Sequence, residues 1–119
     1  GFVPKYIRFP GGGSNMVSKK YTPGIMSVLV SEVQNRGYQY YDWNASTGDA
    51  NGNNIAVHKL VKEATSSHAH NIMILAHDTK AKSTTVQALP KIIEYYQGLG
   101  YTFKGIDDNS YAPHHKVNN

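Results

Sequence analysis

Four residues whose types suit a catalytic site lie at the ends of predicted strands: Arg8, Asp42, Trp43 and His77. A histidine can donate a proton when a neighbouring carboxylate stabilises its protonated form, so His77 and Asp42 are a candidate acid and its partner. Trp43 directly follows Asp42 and can form a wall for a sugar ring. These residue types define a candidate acid–base site.

Each of these residues also has a purely structural interpretation. His77 follows an apolar run and can be a hydrogen-bonded structural histidine. Asp42 can be a turn residue, and Trp43 can belong to the core. Arg8 can be a surface charge. Residue type alone therefore leaves both interpretations open.

The strands that would carry these residues are short. Four segments are rich in β-prone or apolar residues, and they are residues 5–9, 38–41, 72–75 and 101–104. Residues 72–75 are apolar without alternation, which predicts a strand buried on both faces. Residues 45–54 are polar and predict a loop.

Three helices are predicted between these strands. Thr22 followed by Pro23 is a start signal, and Gly37 is the stop signal of the same helix. Apolar residues recur at helical spacing over residues 57–64, which predicts the second helix. The third covers about residues 85–97.

The predicted order β-α-β-α-β-α-β is typical of an α/β fold with a parallel sheet and right-handed crossovers. Parallel strands bring their carboxyl ends to the same edge, so Arg8, Asp42 and His77 are expected on one rim. Four strands are few for such a sheet. The chain is therefore predicted to be either a small open α/β layer or part of a larger barrel.

Composition narrows the class of protein. The chain has 119 residues, enough for one small domain, and its mean hydropathy is −0.49. No apolar run is long enough to span a membrane. Twelve basic residues against eight acidic ones are scattered, which argues against nucleic-acid binding. The absence of cysteine excludes disulfides and thiolate metal sites.

Two further features carry weaker signals. The glycine run at residues 11–13 could cradle a phosphate, but its spacing is not that of a dinucleotide fingerprint or a P-loop. A small α/β phosphate-binding domain is therefore one alternative interpretation. His68 and His70 are predicted in a loop, and His114 and His115 in a polar tail. A pair of histidines does not make a metal site.

Three segments resemble the third, fourth and fifth motifs of the polysaccharide deacetylases, the NodB-homology carbohydrate esterases, in order and spacing. They are Arg8-Phe9-Pro10-Gly11, Tyr41-Asp42-Trp43-Asn44 and Ile74-Leu75-Ala76-His77-Asp78. Residues 85–93 and 100–103 are similar to the last helix and strand of that domain. The resemblance identifies residues 1–106 as the C-terminal portion of the catalytic domain, with residues 107–119 as a polar tail.

The resemblance implies about half of a distorted (β/α) barrel. It also implies a hydrolase that removes acetyl groups from N-acetylated sugar polymers. By motif match, His77 is the general acid, Asp42 is its tuning partner, and Arg8 orients the catalytic base. These three residues are the expected catalytic residues of the chain.

The resemblance also implies three substrate-binding positions. Trp43 and Leu75 would line the sugar and acetyl pocket, and the backbone N–H of Gly11 would bind the oxyanion of the tetrahedral intermediate. Many family members have tyrosine where this chain has Gly11, so an aromatic contact is lost there.

The family's chemistry uses a divalent metal, commonly zinc. Its first motif, Thr-Phe-Asp-Asp-Gly, supplies the base and one metal ligand, and its second, of the type His-x-x-x-His, supplies two more. Neither motif occurs in this chain. The intact domain is therefore expected to be a metal-dependent enzyme, whereas the isolated chain is expected to be inactive and to bind no active-site metal.

The implied substrate is a polysaccharide. Asp42-Trp43-Asn44, followed by Ser46-Thr47-Gly48-Asp49, resembles deacetylases of bacterial cell envelopes, which favours peptidoglycan ahead of chitin or xylan. The expected location is extracellular or in the cell envelope of a bacterium. The expected partner is the missing N-terminal half of the domain or a second copy. The alternative in a different class is a non-catalytic carbohydrate-binding or structural module on the same scaffold.

Overall fold

Four short strands form two parallel pairs in the computed structural model, which describes residues 1–119. β1 (Tyr6–Ile7) pairs with β2 (Gln39–Tyr40), and β3 (Ala45–Ser46) pairs with β4 (Ile74–Leu75). The predicted α/β class with parallel strands is confirmed. The strands form two sheets of two strands each and not the single sheet of four that the sequence suggested.

Three α-helices accompany the strands: α1 (Ile25–Asn35), α2 (Val57–Ala64) and α3 (Ser83–Gly98). Single 3₁₀ turns lie at Val17–Lys20, Asp49–Asn51 and Lys80–Lys82. None of the helices combines the length and the apolar character that crossing a membrane requires.

The chain divides into two compact units. The first contains Gly1–Trp43 together with Tyr111–Asn119, and the second contains Asn44–Ser110. The segment 107–119, predicted as a polar tail, forms no helix or strand. Its last nine residues nevertheless pack as part of the first unit.

The first unit is a β-α-β arrangement with a small core. α1 connects β1 to β2, and Tyr6 of β1 lies opposite Gln39 of β2. Phe9, Met26 and Tyr40 are buried at its centre. The side chains packed around them are Ile7, Ile25, Leu29, Val30, Val33 and Val117. The apolar stripe of α1 therefore covers the strand pair, as the helical spacing predicted.

Both ends of α1 are set by glycine. Gly24 has φ +84°, so the chain turns before the helix begins and Thr22 is not the N-cap that the sequence suggested. At the other end, Gly37 has φ +85° and its N–H donates to the carbonyl of Gln34. The predicted left-handed stop at Gly37 is confirmed, because only glycine adopts this conformation without strain.

The second unit packs α2 against α3. Leu60, Ala64, Ala88, Ile92 and Tyr96 are its buried apolar residues. The Tyr96 hydroxyl lies 2.9 Å from the carbonyl oxygens of both Ala64 and Ser67. This hydroxyl satisfies the carboxyl end of α2, and burial raises the pKa of Tyr96.

One strand prediction and one loop prediction are wrong, for related reasons. Residues 101–104 form no strand, since Tyr101 turns inward against Tyr96 and Phe103 stays half exposed. Residues 45–54 were predicted as loop, yet β3 lies there and is paired with β4. A strand needs a neighbouring strand that offers backbone hydrogen-bond partners. The residue pattern of either segment does not show whether such a neighbour is present.

The apolar run at residues 72–75 forms β4 only at its end. Every residue from Ile72 to Ala76 is half buried, whereas a strand buried on both faces was expected. β4 has a single neighbouring strand, β3, with Ala45 opposite Ile74. Part of the apolar surface of β4 therefore stays accessible.

Candidate active site

β4 ends two residues before His77, so the histidine follows the carboxyl end of a parallel strand. Its side chain is 32% exposed, and Nδ1 lies 2.7 Å from Oδ1 of Asp49. This hydrogen bond places the ring proton on Nδ1 and leaves Nε2 as the nitrogen that can act on another molecule. The structure therefore presents a partly exposed imidazole that is held through Nδ1.

Asp49 is a buried carboxylate that accepts three hydrogen bonds from protein groups. Its side chain is 1% exposed. Oδ1 accepts from the His77 ring, while Oδ2 accepts from the backbone N–H of His77 at 2.8 Å and from the hydroxyl of Thr85 at 2.9 Å. The same carboxylate therefore holds both the ring and the backbone of His77.

Lys82 fixes the turn that carries Asp49. Its Nζ donates to the backbone carbonyls of Asp49 at 2.6 Å and of Gly52 at 2.7 Å. The N–H of Asp49 donates to the hydroxyl of Thr47 at 3.2 Å. These contacts close the 3₁₀ turn Asp49–Asn51 and hold its carboxylate against His77.

Two opposing effects act on the pKa of Asp49. Burial raises it, whereas the hydrogen bonds from His77 and Thr85 and the charge of His77 lower it. The result is a pKa below the ordinary 3.8 of an aspartate. Asp49 is therefore an anion at neutral pH and accepts the hydrogen bond from Nδ1 of His77.

This depressed pKa predicts that the second unit loses stability in acid. The stability that Asp49 contributes is complete above its unfolded-state pKa of about 4 and is lost as pH falls through the lower folded-state value. Urea denaturation at pH 6 and at about pH 2.5 measures the loss. It should be larger in the wild type than in Asp49→Asn, and equal losses in the two proteins would contradict the assignment.

Asp42, the predicted partner of His77, makes other contacts in the structure. Asp42 is 2% exposed, and both of its oxygens are occupied by backbone amides of the first unit. Oδ1 accepts from Gly13 and Oδ2 accepts from His115, each at 2.7 Å. The carboxylate that contacts the imidazole of His77 is Asp49, seven positions further along the sequence.

Asp42 instead organises the glycine run. A Cβ added to Gly13 would lie 2.8 Å from Oδ2 of Asp42, and one added to Gly12 would lie 3.0 Å from the indole of Trp43. Glycine is required at both positions because the backbone comes so close. The charge of Asp42 also adds to the effect of burial in raising the pKa of Tyr40.

The glycine run does not present the row of free amides that a phosphate cradle needs. The N–H of Gly12 donates to the carbonyl of Phe9 at 2.8 Å, and that of Gly13 donates to Asp42. Gly11 is exposed, with φ +72°. The amides of Gly12 and Gly13 are bonded to acceptors within the protein, which counts against the phosphate-binding alternative.

The other predicted site residues lie in both units. In the first unit, Arg8 is exposed beyond β1, and Trp43 is half buried with its ring edge-on to His115 at 4.6 Å between centroids. In the second unit, Leu75 is the half-buried last residue of β4 and His77 follows it. Leu75 and His77 are thus placed together by the same strand end.

No three histidine, aspartate or glutamate side chains of the chain lie close enough together to hold a metal ion. The residues present therefore do not fit the metal site that the resemblance implies for the intact domain.

Four contributing residues were not singled out from the sequence: Asp49, Lys82, Thr85 and His115. Asp49 stands in a polar segment whose composition predicts only a loop. The sole sequence signal for it is the Ser-Thr-Gly-Asp stretch that extends the fourth motif. His115 was noted as one of a pair, with no spacing that indicates its contacts.

Comparisons with known proteins bear on this geometry. No model of a known protein family matches the sequence. The bifunctional xylanase/deacetylase of Pseudobutyrivibrio xylanivorans is 32% identical over 96 residues, which are 76% of this chain and 15% of that protein. The match therefore covers a small part of a much longer relative.

Two solved structures match over almost the whole chain. The catalytic domain of peptidoglycan N-acetylglucosamine deacetylase from Eubacterium rectale ATCC 33656 is 44% identical, with a TM-score of 0.90, and the match covers 97% of this chain and 52% of that one. A polysaccharide deacetylase from Bacillus cereus is 25% identical, with a TM-score of 0.73, over 93% of this chain and 52% of that one.

The fold is therefore that of part of a carbohydrate esterase catalytic domain. The chain belongs to the polysaccharide deacetylase family. It spans about half the length of the solved chains that it matches.

Proposed function

We propose that this chain supplies the proton-donating part of a polysaccharide deacetylase catalytic domain. The observation that carries the proposal is the pair formed by His77 and the buried Asp49 just beyond β4. In parallel α/β folds, the carboxyl ends of the strands are where active sites are built. The 44% identity to a solved deacetylase over 97% of the chain supports the same assignment.

His77 acts as the general acid in this proposal. Deacetylation of an N-acetylated sugar must expel an amine, and an amine is a poor leaving group until it is protonated. Asp49 accepts from Nδ1 and holds the ring in place, and Nε2 of the protonated ring carries the proton to be donated. After donation, the neutral imidazole keeps its orientation through the same hydrogen bond.

The remaining proposed roles concern the substrate. Trp43 forms an aromatic wall for the sugar, Leu75 contributes to the pocket for the acetyl group, and the exposed N–H of Gly11 stabilises the oxyanion. Arg8 orients a catalytic base supplied from outside this chain. Its exposed guanidinium, free of side-chain hydrogen bonds, is compatible with that role.

We place the ligands of a divalent metal, with zinc the first choice, outside this chain. The chain's own carboxylates and imidazoles do not assemble a set of three ligands. The part of the solved Eubacterium rectale domain that this chain does not match is the natural source of such ligands and of the base. The isolated chain is accordingly expected to be inactive.

The substrate proposed for the intact domain is an N-acetylated cell-envelope polymer, with peptidoglycan ahead of chitin. The solved relative from Eubacterium rectale is named for the deacetylation of peptidoglycan N-acetylglucosamine, which supports this choice. An enzyme acting on that polymer would work in the cell envelope or outside the cell.

Joining the two parts of a domain tests the proposal. The portion of the Eubacterium rectale catalytic domain that this chain does not match is fused upstream of Gly1, and acetate release from N-acetylated peptidoglycan fragments is measured. We expect release by the joined protein, loss of release when a chelator removes divalent metal, and none from the 119-residue chain alone.

The control is the fused portion without this chain, which should be inactive as well. Acetate release by the isolated chain would contradict the division of roles proposed here. A folded joined protein that binds the sugar without releasing acetate would favour the carbohydrate-binding alternative.

A further inference from the structure

The segment 113–119, which we name the C-terminal strap, is built into the first unit despite having no regular secondary structure. Pro113 and Asn119 are buried. The strap contains the His114–His115 pair, to which the proposed deacetylase chemistry assigns no role. Its contacts indicate what it does.

One end of the strap caps helix α1. The side-chain oxygen of Asn119 accepts from the N–H of Gly24 at 2.7 Å, and its backbone carbonyl accepts from Ser27 at 2.8 Å. Its amide nitrogen donates to the hydroxyl of Ser18 at 2.8 Å. Since α1 has no side-chain cap from its own preceding residue, Asn119 supplies the missing acceptors.

The other end of the strap is bound to Asp42. The N–H of Asp42 donates to the carbonyl of Pro113 at 2.8 Å, and Oδ2 of Asp42 accepts from the N–H of His115 at 2.7 Å. The same carboxylate accepts from Gly13 through Oδ1. Asp42 therefore links the strap directly to the glycine run.

The His115 ring makes a second link. Nε2 lies 2.7 Å from the backbone carbonyl of Trp43, and Nδ1 lies 3.2 Å from the hydroxyl of Ser14. The ring also stands edge-on to the Trp43 indole, with an interplanar angle of 79°. The two ring nitrogens thus join Trp43, which follows Asp42, to Ser14, which follows the glycine run.

We propose that His115 is a positioning residue that holds Trp43 and the glycine run in their relative places. The inference rests on the proposed function, because it matters for catalysis only if Trp43 and Gly11 meet the substrate. His115 acts through these groups and need not touch the substrate itself. A solvated tail histidine would have no reason to satisfy both ring nitrogens on the protein.

Three variants of the 119-residue chain test this role without any sugar. His115→Ala removes both ring contacts. His115→Gln keeps a donor that can reach the carbonyl of Trp43, and Lys116→Ala changes an exposed neighbour in the same strap. The readouts are the exchange rate of the Gly13 amide by NMR and the emission of Trp43, which is the only tryptophan.

His115→Ala should raise Gly13 exchange about fivefold or more, as loss of one neutral hydrogen bond implies, and should increase acrylamide quenching of Trp43. His115→Gln should restore most of the protection, and Lys116→Ala should match the wild type. Wild-type exchange and quenching in His115→Ala would overturn the proposal. So would a Gln variant as perturbed as the Ala variant.

Amides of α1 in the first unit report whether that unit is still folded in a variant. If His115→Ala loses that protection too, Ser14→Ala replaces it, because it removes only the Nδ1 contact and should still raise Gly13 exchange about twofold. No change in Ser14→Ala would then overturn the inference. A failed acetate assay leaves these readouts unaffected, so the two proposals fail separately.

Discussion

Replacing His77 by alanine in the joined protein should lower the rate of acetate release by about 10²- to 10⁴-fold, the usual contribution of a positioned general acid. In the proposed function, the imidazole protonates the departing amine through Nε2. Alanine keeps the backbone N–H and the Thr85 hydroxyl that contact Asp49, but it offers no proton donor in place of the imidazole. Steady-state acetate release from N-acetylated oligosaccharides measures the change.

Two further variants are compared with His77→Ala in this experiment. Asp49→Asn keeps the size of the side chain but removes its charge, and a loss of about 10- to 100-fold is expected when such a supporting group is changed. His70→Ala removes an exposed histidine of the same unit and should leave the rate unchanged. A His77→Ala protein with the activity of His70→Ala would exclude His77 as the acid.

Replacing Asp49 by alanine should destabilise the 119-residue chain by about 3 kcal/mol, as expected when a buried, charged hydrogen-bond acceptor is lost. The change leaves the hydroxyl of Thr85 and two N–H groups of His77 without their acceptor. Because Asp49 is 1% exposed, water cannot replace it without rearrangement of the turn. The free energy of unfolding from urea denaturation measures the effect.

Asp78→Ala is the control for this second experiment. Asp78 is an exposed carboxylate directly after His77, and its loss should cost less than about 0.5 kcal/mol. If Asp49→Ala were as stable as Asp78→Ala, the network around Asp49 would have no structural importance. An intermediate cost in Asp49→Asn would show how much of the effect comes from charge.

The helices could be predicted because their signals are local. Apolar residues at helical spacing over 57–64 predicted α2, which the structure places at Val57–Ala64. Gly37 ended α1 as expected, since a left-handed residue there depends only on the chain nearby. The start of α1 was missed because Asn119, far along the chain, supplies its capping contacts.

The strands were harder because they depend on partners. Residues 101–104 are as β-prone as residues 38–41, but the structure pairs only the latter, through β2. Residues 45–46 have a weak β signal and form β3 because β4 offers its backbone beside them. Pairing across the sequence is decided by the fold and not by local propensity.

The residues of the candidate site also differ in how far the sequence could predict them. His77 follows an apolar strand, which made it visible in the sequence. Its carboxylate partner depends on the path of a polar turn held by Lys82 and Thr85, and the Ser-Thr-Gly-Asp stretch does not by itself predict that path. The motif match favoured Asp42 as the partner of His77, whereas the structure places the carboxylate of Asp42 against Gly13 and His115.

The central claim is that His77 donates a proton to the leaving group, and its most direct test compares two substrates with the same joined protein. An N-acetylated oligosaccharide must expel an amine, whereas para-nitrophenyl acetate expels a phenolate that needs no proton. We expect His77→Ala to lose about 10²-fold or more on the amide but to stay within about tenfold on the ester. Equal losses on both substrates would contradict the assignment of His77 as the general acid.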